Sequence, residues 1–368
     1  MKKSRKFLLV LISLMALLAL AACGGGDNGG ENADNGATNN EGANETNDTG
    51  EEDAANSGSG DARTLRISLG LNDKTPLYEA AVHFKELVEE QTDELTVEVY
   101  HSAQIGDDRV ATEMLQLGDL EITIPSTSPL VNFLPEYGVF DLPFMIPNEE
   151  VADAVLDGPF GDKMLDMLEE QDLIGLAWWE NGFRNLTNSV RPVATVEDVE
   201  GLVIRTMENE IHLDAWSELG ANPTPMSFAE LFTAMQQGTV DGQENPYPTI
   251  DLEGYAEVQD YVSSTNHVYT PFVFLFSKPI WEELTEEQQQ IIQEAALEAG
   301  KYDREINREQ NQASLENLKE SMEFTEITPE ERQRFQDGVQ PVIEKHAETI
   351  GPEIVEEFRA EIEKASSN

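Results

Sequence analysis

The chain has 368 residues, with 72 acidic against 23 basic side chains and a formal charge of −49. That length exceeds what one small core needs and predicts two domains, while the acidity excludes nucleic acid as a partner. Scarce lysine and abundant carboxylate suit a saline or alkaline exterior, where the Debye length falls to about 3 Å at 1 M salt and self-repulsion is screened.

Lys2, Lys3, Arg5 and Lys6 precede an apolar run over 7–20, which ends in Leu20-Ala-Ala-Cys23. A charged start, an apolar stretch too short for a membrane span and small residues before a cut read as a secretory signal peptide over 1–23. Leu-Ala-Ala-Cys resembles the bacterial lipobox, which implies a lipid on Cys23 and a membrane anchor. Cys23 is the single cysteine, so the sequence offers neither a disulfide nor a thiol nucleophile. Residues 24–61 contain no aromatic or branched aliphatic side chain. Such a segment cannot bury enough surface to fold and is expected to be a disordered acidic tether.

The foldable part begins with an expected strand over 64–71 and a helix over 77–91, in which Ala80, Ala81, Phe84, Leu87 and Val88 recur at helical spacing. A strand over 95–100, a helix over 107–117 and a short strand over 120–124 follow. This alternation predicts an α/β fold with a parallel sheet, and ligands gather at the carboxyl ends of such strands. The loops over 72–76, 102–108 and 125–129 are therefore candidates to line a site. Residues 135–147 read as a packed connection. Helices are expected over 149–156 and 160–171, then a buried strand over 173–179. A second strand–helix set occupies 202–205, 211–219, 228–236 and 242–244, with an apolar strand over 268–276. Residues 285–322 hold no proline and one glycine; as one helix they would span about 55 Å, long enough to cross both domains. Two amphipathic helices over 329–345 and 352–365 complete the chain.

Only four basic side chains lie between Val110 and Ser277: Lys163, Arg184, Arg191 and Arg205. Arg184 follows a turn dipeptide at the end of a buried strand, and Arg205 ends the short strand Leu202-Val-Ile, both positions that face a crevice in a doubly wound sheet. Each guanidinium is either paired with an internal carboxylate or held ready for an external one. Two parallel hydrogen bonds to a carboxylate are a geometry that lysine cannot reproduce. The five histidines show no metal-ligand spacing, no catalytic dyad is visible, and no cofactor motif occurs, so an extracellular hydrolase is set aside in favour of a binding module.

Asn181-Gly-Phe-Arg-Asn-Leu-Thr-Asn188, Val196-Glu-Asp-Val-Glu-Gly-Leu-Val-Ile-Arg205, Gly220-Ala-Asn-Pro-Thr-Pro-Met-Ser-Phe228 and Gln237-Gly-Thr-Val-Asp-Gly-Gln-Glu-Asn-Pro246 resemble the solute-binding proteins of TRAP transporters, the DctP family. Gln104-Ile-Gly-Asp-Asp-Arg109 and Phe140-Asp-Leu-Pro-Phe144 extend the likeness towards the start of the foldable part. The resemblance implies a two-lobed periplasmic-binding-protein-like (type II-like) fold with a cleft between lobes and a long hinge-spanning helix. Lobe I would comprise 62–180 plus about 270–305, and lobe II 181–269 plus about 306–368. It implies an extracytoplasmic protein, not an enzyme, that captures a small carboxylate and delivers it to TRAP membrane permease subunits. A solute receptor of the same fold serving a membrane sensor kinase is the alternative.

Carried over by motif, Arg205 takes the ligand carboxylate, Arg184 supports it, Asn245 orients it, and Phe228 supplies an apolar wall or belongs to the core. Asn72, Asp108 and Ser126 face the cleft from lobe I, although Asp108 also stands where it would cap a helix. Glu244 is the expected internal partner of the arginines. Ser126 and Pro129 stand where the sialic-acid branch carries an acidic residue and an arginine, so the expected ligand is a C4-dicarboxylate or a sugar acid.

Overall fold

The computed structural model describes residues 62–367; the expected signal peptide, Cys23 and the whole tether lie outside the described residues. In chain order the elements are β1 (Arg63–Ser68), α1 (Pro76–Gln91), β2 (Leu95–Tyr100), α2 (Asp108–Leu117), β3 (Ile122–Thr123), α3 (Glu149–Leu156), α4 (Pro159–Met167) and β4 (Leu173–Phe183). Then come β5 (Asn185–Asn188), β6 (Val203–Thr206), α5 (Glu210–Glu218), β7 (Asn222–Pro225), α6 (Phe228–Gln236), β8 (Gly242–Asn245), α7 (Tyr247–Leu252) and β9 (Tyr261–Ser263). The chain finishes with β10 (Tyr269–Ser277), α8 (Lys278–Trp281), α9 (Glu286–Ser321), β11 (Glu323–Thr325), α10 (Pro329–Ile350) and α11 (Pro352–Ser366).

Two sheets result, one ordered β2-β1-β3-β10-β4 and the other β11-β9-β5-β8-β6-β7. Both are mixed, which corrects the expectation of a parallel sheet. β1, β2 and β3 run parallel, but β10 is antiparallel to both β3 and β4, and β5 is antiparallel to β8 and β9. The reason lies in how the chain changes sheets. It leaves the first sheet along β4, enters the second as β5 after the single residue Arg184, and returns from β9 into β10. Outgoing and returning strands must run in opposite directions, and they stay paired at the crossing, where Arg184 N–H donates to the Val268 carbonyl at 2.9 Å. Gly182 makes the outward step possible: its φ of +114° is open to glycine, and a Cβ there would lie 3.6 Å from Pro246.

All nine residues of β10 are buried, which explains an apolar run without alternation. Strands β5, β7, β9 and β11 are only three or four residues long and mix polar with apolar side chains.

Helix α9 has 36 residues, about 54 Å at 1.5 Å per residue. Thr285 and Gln288 close its start as a reciprocal cap. Its buried stripe changes character along its length. Ile291, Ile292, Ala295, Ala296 and Ala299 pack in the first-sheet core, Asp303, Arg304 and Asn307 are buried polar residues, and Leu318 joins the core of the second sheet. The last helix, α11, packs against α3 and α4, with Phe358 5.9 Å from Phe140 and 5.3 Å from Phe160 between ring centres.

At Gly300 the long helix approaches β4 so closely that a Cβ would meet Trp179 at 2.8 Å and the Trp178 carbonyl at 3.2 Å. Gly300→Val is expected to destabilise the fold by about 1–3 kcal/mol through overpacking, measurable as a lowered urea midpoint with an unchanged slope.

Candidate functional site

Arg184 occupies the crossing between the sheets and is 1% exposed; Arg205, on β6, is 2% exposed. Their environments differ. Arg184 donates through Nε to Glu244 Oε2 at 2.5 Å and through Nη2 to Glu244 Oε1 at 3.0 Å and to the Glu244 carbonyl at 2.5 Å. Glu244 is fully buried and takes a further contact, 3.1 Å, from His267 Nε2. Burial alone would raise Glu244, but the Arg184 charge and the His267 hydrogen bond hold its carboxyl well below the usual carboxylate range. His267 is also pushed down, by burial acting against the opposing pull of Glu244. Arg205 has no carboxylate partner among the described residues. Its Nε donates to the Met226 carbonyl at 2.9 Å. Burial, with Arg184 nearby, pushes it down to about 10 against the pull of Tyr255, Glu244 and Asp108, which still leaves it charged at neutral pH.

Both guanidinium groups keep donors unused: Nη1 of Arg184 and Nη1 of Arg205 are buried with no hydrogen-bond partner among the described residues, as is Oγ of Ser126. All three residues line one cavity, together with Asp107, Asp108, Arg109, Asn181, Glu208, Phe228, Asn245 and Phe272. A buried donor without an acceptor costs about 1–3 kcal/mol, and here three of them belong to residues that line one cavity, where an acceptor from outside could satisfy them. The cavity measures about 50 Å³, room for only a few water molecules.

The structure thus gathers Arg184, Arg205, Asn245, Phe228, Asp108 and Ser126 around one space. Asn245 donates to Gln243 Oε1 at 2.5 Å. Phe228 is half-buried, 6.4 Å from the Tyr255 ring centre, so it is both wall and packing. Asp107, not Asp108, caps α2, accepting the Val110 N–H at 3.0 Å; Asp108 is left to accept the Ser126 N–H at 3.2 Å. Asn72 does not line this cavity. Its N–H and amide are already engaged across the gap, donating to Glu253 Oε1 at 2.8 Å and the Leu252 carbonyl at 2.9 Å, while its Oδ1 accepts the Lys74 N–H. Cys23 lies outside the described residues. Sequence reasoning missed Asn181, Glu208, Arg109 and Phe272. Asn181 and Arg109 belonged to motifs already singled out, whereas Phe272 is one apolar residue in a wholly buried strand and carried no signal.

Among the described residues no group of three or more His, Cys, Asp or Glu is placed to hold a metal ion, and no helix is long and apolar enough to cross a membrane. Two sheets joined by crossing strands, with unpartnered guanidinium donors between them, define a two-lobed solute-binding protein. The chain belongs to the DctP family, bacterial extracellular solute-binding protein family 7, which it matches over residues 67–349. It is 36% identical to a solute-binding protein of Verminephrobacter eiseniae over 298 residues, 81% of this chain and 89% of the relative. Among solved structures it is similar to the sugar acid binding protein DctPAm from Advenella mimigardefordensis in complex with galactonate, at 42% identity and a TM-score of 0.81, covering 83% of this chain and 99% of that one. It is also similar to a TRAP periplasmic solute-binding protein from Polaromonas sp. JS666 bound to D-erythronate, at 36% identity and a TM-score of 0.78, covering 81% and 98%. The family comprises substrate-binding transport proteins, not enzymes.

Glu244 neutralises Arg184 in a site without solvent, and removing one partner of a buried pair costs about 3–5 kcal/mol. Glu244→Gln is expected to lose stability of that order in denaturant unfolding at pH 7. Because the folded carboxyl is depressed, its contribution is present above the ordinary value of 4.5 and is lost as pH falls below it; the acid limb of a pH–stability curve should be shallower in the variant.

Proposed function

We propose that this protein captures a small organic acid whose carboxylate is held by the free donors of Arg205 and Arg184, with Asn245 orienting it and Phe228 covering its apolar side. The observation that supports this is the presence of two buried, unpartnered Nη1 groups on residues that line one cavity. Charge-assisted hydrogen bonds contribute roughly 1.5–3 kcal/mol each, so two of them and the enclosing walls account for much of the approximately −8 kcal/mol of a micromolar complex.

The opposite wall favours a sugar acid over a C4-dicarboxylate. Asp107 and Asp108 line the cavity there, with Glu208 also in its lining, and the cation beside them, Arg109, is engaged by Glu113 and Glu208. A second carboxylate would meet acids, whereas hydroxyl groups would find acceptors. The aldonates bound by the two similar proteins, galactonate and D-erythronate, have that chemistry.

Residues 62–180 with about 270–305, and 181–269 with about 306–368, act as the two lobes. The latter division is crossed by α11, which packs on α3 and α4. The small cavity is the closed form; an acid of sugar size enters when the lobes part at the crossing strands, and its contacts to both favour closure. The loaded protein hands its ligand to a TRAP permease in the membrane, to which a lipid on Cys23 keeps it tethered through the acidic segment. We read the acidic surface as an adaptation to salt, so that the unfolding temperature should rise between low salt and 1 M NaCl.

A thermal-shift screen of aldonates, uronates and dicarboxylates is expected to give the largest shifts with aldonates. Arg205→Lys keeps the fold but weakens binding by at least about tenfold, because a point charge replaces a planar pair of donors. Unchanged affinity in calorimetry would sink the clamp.

A further inference from the structure

We propose that Asp108 takes up a proton when the ligand binds, so that the protein captures its acid together with a proton on the wall facing the arginines. The proposal rests on the preceding reading that a carboxylate occupies the free donors of Arg205 and Arg184.

The geometry carries it in three steps. First, Asp108 is free of the structural role its position suggests. Asp107 caps the helix, and the Asp108 carboxylate accepts one hydrogen bond, the long 3.2 Å contact from Ser126 N–H. Second, the cations around the cavity are mostly claimed. Arg109 on α2 is paired with Glu113 and Glu208, and Arg184 with Glu244. That leaves Arg205, without a carboxylate of its own among the described residues, as the charge that compensates Asp108 across the cavity, while Asp107 adds negative charge beside it. Third, a bound carboxylate takes over Arg205 and brings a like charge towards Asp108. The carboxyl then sits in a low-dielectric space with neither solvent nor a free cation, the situation in which an acid prefers to be neutral.

Asp108 needs little persuasion. Burial, with Asp107 adding to it, already pushes its carboxyl up to about 6, against the pull of Ser126 N–H, Arg205 and Arg184. Its proton is therefore held more tightly in the complex than in the free protein, and by linkage the ligand is held more tightly when the proton is present. Affinity should be flat below the free-protein value and fall as pH rises above it. A protonated Asp108 gains an O–H that can donate to a ligand hydroxyl or carbonyl oxygen, which the ionised form cannot do. The His267 imidazole, which burial makes harder to protonate, is bonded to Glu244 and does not line the cavity.

The test is calorimetry on the full protein with galactonate and D-erythronate at pH 7, in two buffers of different protonation enthalpy. The expected result is net uptake approaching about one proton per ligand, with affinity weakening by up to about tenfold per pH unit above pH 6. Asp108→Asn, a neutral isostere, is expected to abolish the uptake and flatten the pH profile. Binding without proton uptake in the unaltered protein overturns the proposal by itself, however poorly the variant binds. Uptake that survives Asp108→Asn, or that vanishes in His267→Gln, also overturns it. No binding heat and no thermal shift with either acid would overturn the carboxylate reading, and this inference with it.

Discussion

A buried ion pair, Arg184 with Glu244, holds together the point on which everything else depends. Arg184 is the single residue between β4 in one sheet and β5 in the other, and Glu244 belongs to β8 of the second sheet. Its carboxylate is shared with His267 from the returning segment, so three separate stretches of chain meet at one charge. Two buried ions are tolerated only when paired and hydrogen-bonded, and that requirement fixes the outgoing strand, the returning strand and β8 relative to one another. It also sets the electrostatic surroundings of the neighbouring guanidinium. With Arg184 neutralised, Arg205 is left as the site's uncompensated cation.

The long helix secures the same region from behind by polar contacts. Asp303 accepts the Glu180 N–H at 2.7 Å, and Asn307 donates to the carbonyls of Glu180 and Asn181. Arg308 bridges Glu180 and Asp153, while Arg304 binds Asp157. Burial pushes the Asp303 carboxyl well above its ordinary value, with the nearby Glu180 adding to it. These groups grip β4 at its last turns before the crossing, where Asn181 reaches the ligand cavity. A buried network of this kind is directional, whereas apolar packing is not. It therefore sets where the strand leaves the sheet.

Much of this was legible before any coordinates. The helices expected over 77–91, 149–156 and 228–236, the buried strand that becomes β4 and the long helix over 285–322 were read from apolar spacing and, for the last, from the absence of proline. The two arginines were conspicuous because cations are scarce around them, and their motifs brought Asn245, Phe228 and Glu244 with them. The sheets were less legible. Strands of three or four residues, such as Asn185–Asn188 and Asn222–Pro225, have no local pattern and form because partners arrive from far along the chain. Asn72 shows the same limit in the site: its motif position suggested the cleft, but its hydrogen-bonding groups are claimed by Glu253, Leu252 and Lys74.

Composition and local pattern determined that this chain is α/β, acidic and unsuited to nucleic acid, and made Arg184 and Arg205 conspicuous as scarce cations. Residue type and short-range spacing suffice for that, since charge and helical periodicity are properties of the chain itself. Which arginine took an internal carboxylate and which was left without one was decided only in three dimensions. Glu244 lies 60 residues from Arg184, and only the antiparallel pairing of β5 with β8 brings them together. The division of labour between Asp107 and Asp108 has the same origin. One residue caps a helix and the next faces a cavity because the fold gives adjacent side chains different neighbours.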